Sequence, residues 1–263
     1  MKGTLTIMGC GNSTGVPALG NFWGQCDPSE PRNIRRRCSV LIQINDVNIV
    51  IDTGPDFREQ LNRTGVNHIH AVLFSHAHAD HINGIDELRF MAVKEKRLIP
   101  VYAHDESLEI LKSRFHYLFD GGNHELYPPV VKGHEIASGQ LGKVNNVNGV
   151  EFIPFKQDHG SCTSLGYRFG DTAYSVDVWD LDEAAIKVLK GVKTWIVDAA
   201  AYKSKTNPVH ASIEKIFSLN ERIGAKAVYL TSLSLAMDYK TLLNELPEGY
   251  LPAYDGLEIT IEC

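Results

Sequence analysis

Three histidines and a carboxylate fall within six residues, His76-Ala77-His78-Ala79-Asp80-His81. Neutral imidazole and carboxylate together form a ligand set suited to zinc, manganese or iron. Buried without partners, four such groups would each carry a desolvation cost, so a purely structural role explains them poorly. Alternate residues of an extended stretch point the same way, so His76 and His78 can reach one ion. Asp80 and His81 lie where the chain starts to coil and are expected to face a second position. A bound cation of this kind activates water, which makes hydrolysis the chemistry to expect.

Other elements must deliver that segment. Residues 71–75 form an apolar, strand-like run leading into His76, and a helix is expected over 82–90. Further β-branched runs predict strands at 4–8, 39–44, 47–51, 101–103, 150–155, 164–169, 173–176, 194–197, 227–230 and 257–261. Apolar residues at three- and four-residue spacing predict helices over 56–64, 106–119, 182–190 and 212–223. Asn45-Asp46 reads as a hairpin turn. Strands early, then strands mixed with helices, imply a layered α/β domain. No repeat or linker divides the chain, so 1–263 is expected to be a single domain. The stretch 12–37 lacks periodicity, and a loop of that length in a compact domain is more often functional than idle. It and the segment 121–133 could each line the cleft or an interface.

Composition narrows the function. The 263 residues are 43% hydrophobic and 22% charged, ordinary globular values. A formal charge of −6 argues against non-specific nucleic-acid binding through a basic face. Arg35-Arg36-Arg37 reads as a solvated loop, with a local basic pocket as the alternative. The five cysteines, Cys10, Cys26, Cys38, Cys162 and Cys263, contain no C-x-x-C pair. Reduced structural thiols are the expectation, and convergence of Cys10, Cys26 and Cys38 on a metal is the weaker alternative. No apolar run has membrane-spanning length, and the opening MKGTLTIMGCGNS has no leader-like apolar region, so a cytoplasmic protein is expected.

The full H-x-H-x-D-H pattern of His76–His81 resembles the metallo-β-lactamase fold superfamily. The resemblance implies a four-layer αβ/βα sandwich with two metal ions in a cleft between sheet edges. In Val50-Ile51-Asp52-Thr53-Gly54 it implies that Asp52 supports the histidine loop, although alone Asp52 also fits a turn. In Lys156-Gln157-Asp158-His159-Gly160 it implies that His159 completes the first ion's ligands with His76 and His78. Asp177, after the strand Ala173-Tyr174-Ser175-Val176, takes the bridging-carboxylate position, with Asp180 the competing choice. In Asn207-Pro208-Val209-His210-Ala211-Ser212 the resemblance turns His210 toward the scissile phosphate or leaving group; a half-exposed loop histidine is the other reading. Ser212 suits a helix start.

Gly9-Cys10-Gly11-Asn12-Ser13-Thr14-Gly15-Val16-Pro17 and His81-Ile82-Asn83-Gly84-Ile85-Asp86-Glu87-Leu88-Arg89 resemble the PhnP-like cyclic phosphodiesterase subgroup. More distantly they resemble the tRNA 3′-processing endonucleases. Phosphodiester chemistry is thereby implied, with Asp80 orienting water and His210 steadying the departing oxygen. The subgroup's cysteine-rich zinc site is not matched at Gly24-Gln25-Cys26-Asp27-Pro28. A second departure lies at Thr231-Ser232-Leu233-Ser234-Leu235-Ala236-Met237-Asp238-Tyr239, where relatives carry the last metal histidine. Ser232 and Leu235 stand in the histidine positions, so a tight first ion and a weak second one are expected. The expected protein is a zinc- or manganese-dependent phosphodiesterase acting on a small anionic nucleotide or sugar phosphate, cyclic ones included. Alternatives are an RNA-processing or other metallo-hydrolase on the same fold, or a degenerate binder without turnover. Extended nucleic acid and membrane are not expected partners, and a homodimer is compatible with the sequence.

Overall fold

A computed structural model describes residues 2–122 and 127–263. Short β-branched runs form β1 (Lys2–Gly9), β2 (Ser39–Ile44), β3 (Val47–Ile51), β4 (Ala71–Leu73), β5 (Ile99–His104) and β6 (Val131–Ile136). They are followed by β7 (Asn145–Val147), β8 (Val150–Asp158), β9 (Thr163–Phe169), β10 (Thr172–Ser175), β11 (Thr194–Asp198), β12 (Ala227–Thr231), β13 (Tyr250–Pro252) and β14 (Glu258–Glu262). Two seven-stranded sheets result, ordered β14-β1-β2-β3-β4-β5-β6 and β13-β12-β11-β10-β9-β8-β7. In β2, Val40 and Ile42 enter the cluster between the sheets, while Leu41 joins the cluster beneath the helices. That alternation is the signature of a sheet covered on both faces.

The helices are α1 (Phe57–Thr64), α2 (Ala79–Ile82), α3 (Leu88–Glu95), α4 (Asp105–Arg114), α5 (His116–Phe119), α6 (Glu183–Leu189), α7 (Ile213–Ile223) and α8 (Tyr239–Glu245). Phe57, Leu61, Leu88, Leu108 and Leu111 cover the outer face of the first sheet. Ile186, Leu189, Ile216 and Leu219 of α6 and α7 join the core of the second. The architecture is therefore the expected four-layer αβ/βα sandwich. No described helix is long and apolar enough to cross a membrane.

The helix expected over 82–90 is instead α2, a 3-10 turn at Ile85–Glu87, and α3. The cause lies at Gly84, whose N–H donates to the Thr53 carbonyl at 2.7 Å. A Cβ at Gly84 would meet the Gly54 carbonyl, so the chain is pinned to the turn after β3 and cannot continue as one helix. Likewise the helix expected over 106–119 breaks at Phe115 between α4 and α5. The Asn45-Asp46 hairpin is present: Ile44 pairs with Val47, and Asn45 takes φ 53°, as tight hairpins require.

The arginine run corrects the solvated-loop expectation. Arg35 is buried, its guanidinium donating to Asn33 at 2.8 Å. Arg36 pairs with Asp255 at 3.2 Å and Arg37 with Asp56 at 2.9 Å. These cations staple the 12–37 loop to the body, and Asn12 and Ser13 from that loop reach the cleft. None of the five cysteines forms a disulfide, and among the described residues none joins a cluster with metal-ligand geometry. Of the segment 121–133, residues 123–126 lie outside those described; Pro128 and Pro129 border an apolar hollow with Val93 and Leu98.

Candidate metal centre

Strand ends at one edge of the sandwich supply the site. Beyond β4, Phe74 donates to the Tyr102 carbonyl at 2.8 Å, and Ser75 accepts from Leu165 of the opposite sheet at 2.8 Å. The chain is thus held between the sheets as it reaches His76. His76 Nε2 lies 2.8 Å from His78 Nδ1 and 3.4 Å from Asp177 Oδ2. His159 Nε2, one residue beyond β8, lies 3.3 Å from the same Asp177 oxygen. These four side chains form one cluster whose donor atoms are all within 4.8 Å of one another. Tetrahedral bonds to zinc place neighbouring donors about 3.3 Å apart, so the set fits a divalent cation. Burial pushes the His76 pKa well below its ordinary value, assisted by the charge of His81. Burial and His159 do the same, less strongly, for His78. Neutral imidazole is the form that binds metal.

The second half of the histidine segment is braced differently. His81 Nδ1 lies 2.7 Å from Asp52 Oδ2, while its Nε2 lies 3.3 Å from Asp80 and 3.5 Å from Asp177. Asp52 also accepts from the Ser75 N–H at 2.7 Å and the Ser75 hydroxyl at 2.6 Å. Burial opposes a charged His81, but the carboxylates of Asp177 and Asp52 outweigh it and raise its pKa well above the usual value. Burial likewise opposes ionised Asp177, yet His81, His76 and His159 hold its pKa well below the carboxylate range. A carboxylate orienting an imidazole in this manner fixes ring direction and tautomer. Gly54 is required behind the segment, since a Cβ there would strike the Asp80 carbonyl.

Ser232 follows β12 with φ 59°, is buried, and lines a cavity of about 380 Å³ together with Asn12, His78, Asp80, His159 and Asp177. A short hydroxyl therefore occupies the expected histidine position. Leu235 is directed elsewhere: its carbonyl accepts from Gln25 at 2.8 Å, and it packs on Gly24. Asp180 also lies apart from the cluster, paired with Lys215 at 2.9 Å.

One residue was not anticipated. Asp198, at the end of β11, is fully buried and accepts from His210 Nδ1 at 2.6 Å, Val178 N–H at 3.1 Å and Ala200 N–H at 2.8 Å. Burial works to lower the His210 pKa, but the Asp198 carboxylate overcomes it and lifts the pKa to about 9. His210 is set beside the first cluster, its ring 5.0 Å from that of His159, whose Nδ1 lies 2.7 Å from the Val209 carbonyl. Donor atoms of Asp177, Asp198 and His210 also lie within 4.8 Å of one another. Ser212 caps α7, accepting from Lys215 N–H at 3.2 Å. A sequence signal for Asp198 did exist: Ile51-Asp52, Val176-Asp177 and Val197-Asp198 each end an apolar strand in aspartate.

Comparison with known proteins adds four findings. The family model described as "Beta-lactamase superfamily domain" matches residues 47–231. A crystal structure of a diphosphatase from the PhnP family is 33% identical, with a TM-score of 0.87, covering 99% of this chain and 98% of that one. An octanoyltransferase of Porphyromonas gingivalis is 33% identical over 261 residues, which is 97% of this chain and 51% of that protein; the chain spans about half the length of that relative. Zinc-bound PqqB from Methylobacterium extorquens shares the fold, with a TM-score of 0.72 at 20% identity over 97% of this chain and 99% of that one.

Proposed function

This chain belongs to the β-lactamase superfamily, and we propose that within it the protein is a metal-dependent phosphohydrolase acting on a small anionic nucleotide or sugar phosphate. The observation that carries this reading is the placement of His76, His78, His159 and Asp177 in one cluster beside the Asp198–His210 pair. A divalent cation, zinc or manganese, held by those four residues supplies Lewis acidity toward phosphate oxygens. Asp80 borders the cavity as an acceptor able to orient water; burial opposes its ionisation, but the hydrogen bond to His81 keeps its pKa below the usual range. Asp198 holds a proton on His210, which delivers it to the departing oxygen. Asp52 keeps His81 in register without touching the cavity. With serine at 232, we assign the Asp80–His81 position a weaker ion.

Two bonds fit this chemistry. Cyclic phosphodiesters follow from the motif resemblance, and the likeness to a diphosphatase at 33% identity supports a phosphoanhydride as the second reading. Acyl transfer is not proposed, because the chain matches only half of the octanoyltransferase. We place the protein in the cytoplasm, where reduced thiols persist.

The test is hydrolysis by zinc- or manganese-loaded protein of bis(p-nitrophenyl) phosphate, nucleoside 2′,3′-cyclic phosphates, diadenosine diphosphate and a tRNA precursor. Turnover of a small substrate but not of the precursor supports the reading. Loaded protein that turns over none of them is a binder, and the proposal fails.

A further inference from the structure

A second cavity, of about 360 Å³, opens on the far side of His210 and shares Asn207 and His210 with the metal-side cavity. His210 therefore stands between the ligand cluster and this second space. Its backbone is fixed there: Asn207 Oδ1 accepts from the N–H groups of Val209 and His210 at 2.9 Å each, and Ala211 N–H donates to Val178 at 2.8 Å. Trp179 forms part of the wall, two residues beyond Asp177, with 37% of its surface exposed. Trp179 N–H donates to Asp158 at 2.6 Å, which anchors its backbone. The Lys215 ammonium sits 4.9 Å from the indole centroid, and Lys205 lies on the same wall. Their carboxylate partners, Asp180 at 2.9 Å and Glu214 at 3.0 Å, form solvent-facing pairs. Pairs of that kind contribute little and can exchange for a phosphate. The other two tryptophans satisfy their indole N–H within the protein, on Asn21 at 3.2 Å and Ser175 at 2.9 Å; among the described residues Trp179 has no such acceptor.

A wall that joins an aromatic face to solvent-facing cations selects a ligand with both a flat ring system and negative charge. We propose that the cavity beyond His210 is the leaving-group subsite and that Trp179 makes it specific for a nucleotide. The base rests on the indole, and the nucleotide phosphate faces Lys205 and Lys215. This rests on the phosphohydrolase reading and deepens it. With a phosphoanhydride substrate, water adds to the phosphorus on the metal side, the bond from that phosphorus to the bridging oxygen breaks, and its electrons stay on that oxygen. That oxygen takes the proton from His210, and water's own proton restores it. A nucleoside monophosphate then occupies the subsite as product.

The test uses titration calorimetry of metal-loaded protein with AMP and with ribose 5-phosphate, which lacks the base. Wild type is expected to bind AMP about ten-fold more tightly. Trp179→Ala should remove that preference while leaving ribose 5-phosphate affinity unchanged, and Trp179→Phe should keep most of it. Equal affinity of wild type for the two ligands overturns the proposal even if a variant fails to fold. So does a preference that survives in Trp179→Ala. Hydrolysis of bis(p-nitrophenyl) phosphate is measured on the same samples. Absence of turnover of this reporter and of every other small substrate named above sinks the phosphohydrolase reading, whereas hydrolysis without base preference sinks only the subsite.

Discussion

His210 Nδ1 stands 2.6 Å from Asp198 Oδ2, and Asp198 is wholly buried with two backbone N–H groups on the same carboxylate. The carboxylate cannot swing toward solvent, so the imidazole is held in one orientation with Nδ1 occupied. Against the effect of burial, Asp198 raises the His210 pKa to about 9. The ring therefore keeps its proton at neutral pH and loses it as pH rises through that value. A cation in the adjacent cluster moves that value down.

Asp198→Asn should remove the charge that retains this proton. If His210 is the donor, activity declines on the alkaline side in wild type, and the variant's decline begins at lower pH. The maximal rate should fall by about 10²–10⁴-fold, the usual contribution of general acid catalysis. A pH–rate profile of kcat for both proteins checks this, and an unmoved alkaline limb counts against the role.

The Asp52 carboxylate reaches the metal cluster through Ser75 and His81. Loss of such a support typically weakens metal binding by about 10–100-fold. Asp52→Asn should do so with the fold retained, as measured by competition with a chromophoric chelator. Unchanged metal affinity would mean that the histidine loop is held by packing alone.

Ser232→His should add a ligand to the Asp80–His81 position. The backbone there has φ 59°, and histidine is among the residues that tolerate the left-handed region best. Metal content after mild chelation should rise from about one equivalent toward two, the number of cation positions in a two-metal site. Elemental analysis of the purified variant reads this directly, and an unchanged content would show that position 232 does not face the second ion.

Asp238 caps α8, accepting from Thr241 N–H at 2.9 Å, and also accepts from Asn33 at 2.7 Å. Burial opposes its ionisation, but these hydrogen bonds lower its pKa to about 2. Its stabilisation is fully present above the unfolded carboxylate pKa of about 3.9 and is lost as pH falls toward 2. Asp238→Ala should cost about 1 kcal/mol at neutral pH, and urea titrations should show the difference from wild type shrinking below pH 4 or so.

The histidine segment was legible because its chemistry is contiguous in sequence. Asp198 was not, since a lone aspartate after Val197 gains meaning only from His210, twelve residues away and folded back upon it. The central strands could be read from their apolar runs. Of the edge strands, β14 was legible from its alternating Ile259 and Ile261, whereas β6, β7 and β13 were not, because an edge pairs on one side only and tolerates polar residues and Pro252. The arginine run misled for a related reason. Charge alone suggests solvent, whereas Asp56, Asp255 and Asn33, which draw Arg37, Arg36 and Arg35 inward, are scattered along the chain.

The four clustered donors come in pairs from opposite halves of the sandwich: His76 and His78 follow β4, whereas His159 and Asp177 follow β8 and β10. A cation seated among them acts as a rivet through the seam, and its binding energy is added to the folded state by mass action. If the protein is metal-dependent as proposed, metal supply would then govern how long the molecule survives as well as how fast it works. Starved of the ion, the protein should fail first by parting along that seam.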